Sequence, residues 1–248
     1  MSGLTYLTKT QKSTLYKILG ILVLFAATIF SNAVFAEEPI KVTISHTFDH
    51  IILDGEWSFY EEWKASTLDT FRFNDSDLIL RTAHQDDYLY VLIDVLGDIT
   101  HDHMADRAVV CLDGKETSKL ADESDWCYVA TRGSKNAHTL NGGSSIHRTS
   151  HFQIEKNHPE LVAIGGTSGE NDRYLKTPHA AYEFKIPIEQ IGFEDEYGFF
   201  MQVFDRNNVM TYPQEHSGKY PQKIPSPEEW GLIISPDRSI SSEHFNQN

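Results

Sequence analysis

Positive charge is the first thing this sequence is short of. Its 21 lysines and arginines stand against 36 aspartates and glutamates, a net charge of −15 with histidine neutral. No acidic residue precedes Glu37, whereas Lys9, Lys12 and Lys17 do, so the chain beyond Ala36 is more acidic still. Such a surface repels phosphate backbones and anionic lipid, which excludes nucleic acid as a partner and favours neutral glycans or bound cations. Long apolar runs are missing too. The run from Ile18 to Phe30 falls short of the roughly 20 residues a bilayer span needs. With lysines before it and Ala33-Val34-Phe35-Ala36 after it, residues 1–36 read as a secretory signal peptide, cleaved after Ala36. Extended to Phe35, the run would be an uncleaved anchor, the one membrane attachment expected. Familiar catalytic signatures are absent: no Gly-x-Ser-x-Gly, phosphate loop, dinucleotide fingerprint or His-Glu-x-x-His. Without Cys-x-x-Cys-His there is no c-type haem attachment. The expectation is a secreted or extracytoplasmic protein that is not an enzyme.

Helical periodicity is scarce, and short alternating runs take its place. Ile40–Ser45 reads as a first strand. Ile51-Ile52-Leu53 reads as another, reversed at Asp54-Gly55, where aspartate tolerates turn geometry and glycine supplies positive φ. Trp57, Tyr60 and Trp63 then recur at helical spacing as one packed edge. The clearest signal is LILRTAHQDDYLYVLIDV, two β-rich runs about a polar turn. Within it Leu89, Val91, Ile93 and Val95 form an apolar face opposite Tyr88, Tyr90, Leu92 and Asp94. Further strands are expected at Arg107–Leu112, Trp126–Ala130, Phe152–Ile154, Leu161–Ile164, Ala180–Ile186, Tyr197–Asp205 and Trp230–Ile234. A helical turn is expected at Pro187–Ile191, ended by Gly192. Arg132–Ser150, Gly165–Asp172 and Asn207–Pro227 read as turn or loop. Many short strands and few helices predict an all-β antiparallel sandwich over residues 37–235, followed by a polar tail, 236–248.

Cys111 and Cys127 stand in two strands joined by a polar connection. They either face each other as a disulfide or serve as small buried hydrophobes. Asp98, Asp102 and Asp106 recur every four residues with His101 and His103 between them. Their oxygens suit calcium, which takes six to eight such ligands. A sugar presents C–H faces bordered by hydroxyls, so its site needs flat aromatics edged by polar groups. Trp126, Tyr128, Tyr212 and Trp230, with Arg206 and Asn207, are the candidates. A b-type haem held by Met104, Met201 or Met210 with a histidine is the alternative ligand.

The order LDGEW, EEW, the hairpin, GDIT, DRAVVCLDG, YEFKIPIEQIG, FMQVFDRN and EEWG resembles the family 9 carbohydrate-binding modules, from Ile51 to Ile234. That β-sandwich superfamily also holds DOMON-type and ethylbenzene-dehydrogenase-type haem domains. The resemblance implies non-catalytic binding of a saccharide or polysaccharide between aromatic side chains, with structural calcium. It matches Asp54 and Gly55 to the opening turn and Asp98 to the loop after the hairpin. Glu183 matches the acid before the Ile-Pro turn, and Trp230 the tryptophan of the last strand. Trp126 is the nearest match to a sugar-sandwiching tryptophan.

Overall fold

The structure is a computed structural model. It describes residues 37–44, 51–73, 76–102, 106–114, 120–143, 152–206, 208–219 and 223–235. Among these, no helix is long and apolar enough to cross a membrane.

In chain order the strands are β1 (Ile40–Lys41), β2 (Thr43–Ile44), β3 (Thr67–Phe73), β4 (Ser76–Gln85), β5 (Tyr88–Val95), β6 (Arg107–Asp113), β7 (Asp125–Thr131) and β8 (His138–Asn141). They continue as β9 (Gln153–Glu155), β10 (Val162–Ser168), β11 (His179–Pro187), β12 (Glu196–Asp205), β13 (Asn208–Tyr212), β14 (Gly218–Lys219) and β15 (Gly231–Ile234). One short helix, α1 (Ile188–Ile191), follows β11 and ends at Gly192, whose φ is 88°. Two sheets result. The larger has nine described strands in the order β1-β15-β12-β6-β7-β8-β9, with β13 on β12 and β14 on β13. The smaller has six, in the order β10-β11-β5-β4-β2, with β3 also on β4.

Alternation builds the sandwich. Leu89, Val91, Ile93 and Val95 of β5 meet Val110 and Leu112 of β6 and Phe199, Met201 and Val203 of β12 in one inter-sheet core. The hairpin closes more tightly than expected, with strand up to Gln85 and only Asp86 and Asp87 in the turn. Asp86 takes φ 53° there. Because every side-chain direction flips at each step, the residues between the core positions face outwards.

Five sequence expectations need correction. Ile51–Leu53 is not a strand; its backbone is held by side chains instead, with Ile52 N donating to Glu62 Oε1 at 2.8 Å. The stretch 132–150 contains strand β8, and 207–227 contains β13 and β14, short strands without a clear alternation to reveal them. The expected turn at 165–172 begins later, because β10 continues to Ser168 along β11. Ile40–Ser45 is split into β1 and β2, each parallel to its partner and in different sheets. Among the described residues the other strand pairs are antiparallel, with one isolated parallel bridge between Arg132 and Gly165.

Trp57 and Trp63 are buried, at 1% and 0% exposure, against Ala83, Leu92 and Ala181 on the outer face of the smaller sheet. They cover a face of that sheet rather than its edge, while Tyr60 is exposed. The carboxylate of buried Glu183, on β11, organises this layer. Its Oε2 accepts from Asp54 N at 2.9 Å and Gly55 N at 2.7 Å, and its Oε1 from Trp63 Nε1 at 2.9 Å. Gly55, at φ 86°, lies so close to Gly166 that a Cβ would stand 2.5 Å from the Gly166 nitrogen. Only glycine fits a left-handed turn pressed against a strand in this way.

Candidate functional site

The outward residues of the larger sheet line a groove. Pairing sets Gln202, Val109, Val129 and His138 in one row across β12, β6, β7 and β8. Phe204, Arg107 and Thr131 form the next row. Leu140 and Ile154 add the far wall, and Ile224 closes the rim of a groove of about 500 Å³. That volume lies within the range of small-ligand pockets, roughly 300–1,000 Å³. The floor is apolar. Gln202 is 1% exposed, and its Nε2 has no hydrogen-bond partner among the described residues. A buried amide donor left unmatched costs about 1–3 kcal/mol, so a ligand acceptor there would be rewarded. The Arg107 guanidinium lies over the Phe204 ring, its Cζ 4.0 Å from the centroid, a cation–π contact that restrains it.

On the same outer face, one step along each strand, Cys111 pairs with Cys127 across β6 and β7. The two form a disulfide, with an S–S distance of 1.99 Å. Phe200 and Trp230 stack beyond it, with Phe152 on the other side of Trp230.

The sequence-expected ligand residues do not line this groove. Tyr128 and Tyr212, at 0% and 1% exposure, are inter-sheet core residues with no ring face open to solvent. Tyr212 OH is tied to the Glu38 carbonyl at 3.1 Å. Trp126 packs half-buried against the same core. Trp230 lies on the groove's side of the sheet but is 7% exposed within its own stack, and its Nε1 donates to Pro225 O at 3.2 Å. Arg206 is exposed and pairs with Asp102. Asn207 lies outside the described residues. Of the methionines considered for haem, Met201 and Met210 are in the inter-sheet core, and Met104 lies outside the described residues. Arg107, His138, Gln202 and Phe204 were missed. The strand alternation of RAVVCLD and FFMQVFD puts Arg107, Val109, Gln202 and Phe204 on one side, a signal that was present in the sequence.

Two of the three metal candidates do converge. Carboxylate oxygens of Asp98, Asp106 and Asp205 lie within 4.8 Å of one another at one end of the sandwich. Asp102 is not among them: its side chain pairs with Arg206, and its backbone N donates to Asp106 Oδ2 at 2.8 Å. Asp205, the last residue of β12, takes its place. His101 is not part of the cluster, and His103 lies outside the described residues. Both oxygens of buried Asp98 and Oδ1 of Asp106 lack hydrogen-bond partners among the described residues. Arg132 Nη1 stands 3.7 Å from Asp98 and 3.4 Å from Asp106, one cation against three carboxylates. Burial, then the Asp106 and Asp205 carboxylates, pushes the Asp98 pKa up to about 7. Unpartnered oxygens around uncompensated negative charge fit a hard cation.

A second buried cluster is different in kind. His179 Nδ1 is 2.6 Å from the Thr177 carbonyl, and Nε2 is 2.7 Å from Asp94 Oδ1 and 3.6 Å from Asp172 Oδ2. A carbonyl can only accept, so Nδ1 carries a proton, and the two carboxylates favour a second proton on Nε2. Burial pulls the His179 pKa down, but Asp172 and Asp94 outweigh it and raise it to about 10. An imidazolium has no lone pair left for a metal. Its role is structural, because Asp172 also accepts from Ser168 Oγ, which in turn receives Trp57 N.

No family model matches the chain, and no curated protein matches it. Among solved structures the chain is similar in fold to a family 9 carbohydrate-binding module from Caldicellulosiruptor kristjanssonii in complex with cellotriose. The identity is 14%, over 80% of this chain and 93% of that one, with a TM-score of 0.47. It is likewise similar to a family 9 module from the same organism in complex with glucose, at 14% identity over 80% and 95% of the two chains, TM-score 0.46.

Proposed function

We propose that this protein is a non-catalytic carbohydrate-binding module that holds a saccharide in the groove on the outer face of its larger sheet. The observation that carries this reading is the buried, unmatched Nε2 of Gln202 at the floor of a groove lined mainly by apolar side chains. Sugars need that combination, a surface for C–H faces and fixed polar groups for hydroxyls. The solved modules of similar fold are complexes with cellotriose and glucose. The test is isothermal titration with a panel of oligosaccharides that includes the cello-series, on the wild-type protein and on Val129→Trp. Val129 is half-buried in the centre of the groove floor, so an indole there fills the ligand's space. Binding by the wild type and its loss, tenfold or more, in a folded Val129→Trp variant is expected. No binding across the panel, or binding unaffected by Val129→Trp, would overturn the proposal. A haem Soret band in the purified protein would favour the alternative ligand.

Calcium at Asp98, Asp106 and Asp205 belongs to the same reading, as does a location outside the cytoplasm, where the disulfide persists. Extracellular modules bind calcium at roughly 10⁻⁴–10⁻³ M. Addition of calcium at about 10 mM should therefore raise the melting temperature of chelator-treated protein by about 3–10 °C. Asp205→Asn should abolish most of that rise. An unchanged melting curve would remove calcium from the account.

A further inference from the structure

We infer that the saccharide carries a single carboxylate, a uronic-acid residue, which Arg107 receives; this rests on the carbohydrate reading of the groove. The chain has 36 acidic residues, yet among the described residues none lines the groove, whose polar residues are Arg107, Thr131, His138 and Gln202. Sites built for neutral sugars need acceptors for hydroxyl protons, a task for which carboxylates are suited. Here the lining is weighted instead towards donors. Arg107 forms no ion pair among the described residues, whereas Arg72, Arg132 and Arg206 each have an aspartate. With its Cζ 4.0 Å over the centroid of the Phe204 ring, the guanidinium is restrained on one side, and its N–H groups are left for a partner. A planar fork held in this way matches a carboxylate in bidentate geometry. Gln202 lies opposite Val109 in the next row, so its free Nε2 is two residues along both strands from Arg107. One sugar residue can place its carboxylate on Arg107 and a ring or hydroxyl oxygen on Gln202, with Val109 and Val129 under its C–H face.

The net charge of −15 sets the limit on this ligand. A polyanion would be repelled by the protein as a whole, while one carboxylate is compensated locally by Arg107. The occupant is therefore an otherwise neutral oligosaccharide with one acidic residue, and not a polyuronate.

The test uses oligosaccharides with one terminal glucuronic, galacturonic or mannuronic acid, each beside its carboxyl-reduced neutral counterpart. Titration calorimetry on the full chain gives the affinity ratio of each pair. At least one acidic form should bind about ten- to a hundredfold more tightly than its reduced partner, as expected for a charge-assisted pair. Arg107→Gln should bring that ratio close to one, and Arg107→Lys should leave it intermediate. Equal binding of acidic and reduced forms would overturn this inference and leave the carbohydrate reading standing. Binding of neither form would overturn both.

Discussion

Replacing Glu183 with leucine should cost about 3–6 kcal/mol of stability, a large part of the roughly 5–15 kcal/mol typical of a folded domain. The estimate comes from three donors. Asp54 N, Gly55 N and Trp63 Nε1 all end on this one buried carboxylate, and leucine leaves each of them unmatched. A buried donor that loses its acceptor costs about 1–3 kcal/mol. Burial pushes the Glu183 pKa up, the N–H groups of Gly55 and Trp63 pull it down, and nearby Glu62 and Asp54 raise it again. Glutamine keeps one accepting oxygen but sets an NH₂ group against donors, so Glu183→Gln should lose about half as much. The melting temperature should fall by about 6–20 °C in the leucine variant, at about 2–4 °C per kcal/mol for a chain of this size. Trp57 and Trp63 should report the change locally. They are two of the four tryptophans, and their emission should shift to the red below the global transition. A leucine variant that melts within about 2 °C of the wild type would show that the donors have found other partners.

Removal of the disulfide is the second large effect expected. Cys111 and Cys127 are 16 residues apart, and closing a loop of about that length stabilises by about 3 kcal/mol in the chain-entropy model. The double variant Cys111→Ala, Cys127→Ala should melt about 6–12 °C below the wild type. Dithiothreitol should lower the wild-type transition by a similar amount and leave the variant alone. If the variant and the reduced wild type melt with the oxidised protein, the reduced state already holds β6 and β7 in place. Phe200 and Trp230 pack on the same outer face, so part of the loss should reach the groove beside them.

What could be read in the sequence followed the strength of its alternation. The hairpin of β4 and β5 was legible because Leu89, Val91, Ile93 and Val95 make one wholly aliphatic face and two aspartates mark the turn. β12 was legible as a strand from its length and its aromatic and β-branched residues. β8 and β13 were not, because HTLN and NVMTY carry no such contrast and proline follows the latter at once. Asp98 and Asp106 were found from local spacing, but Asp205 is distant in the chain and reaches them only through the pairing of β12 with β6. Most of the candidate ligand aromatics are buried, for a physical reason. Tyrosine and tryptophan serve a sugar site only where a ring face meets water, and a sandwich this large uses them first to fill its layers. The polar groups that do line the groove are single residues among valines, conspicuous only once four strands are placed side by side.

The split first strand has a consequence for the order of assembly. Ile40 pairs with Ile233 in the larger sheet, and two residues beyond β1, Thr43 pairs with Ala83 in the smaller. A five-residue segment thus joins the rims of both layers, one of them formed by the last described strand. During synthesis the smaller sheet can find its partners early, but the seam at β15 stays open until residue 234 has emerged. For most of its synthesis the chain therefore presents an unpaired rim, the feature that invites a second copy to pair there. Fragments that end before β15 should accordingly self-associate, while the same fragments mixed with a peptide spanning residues 227–235 should remain monomeric.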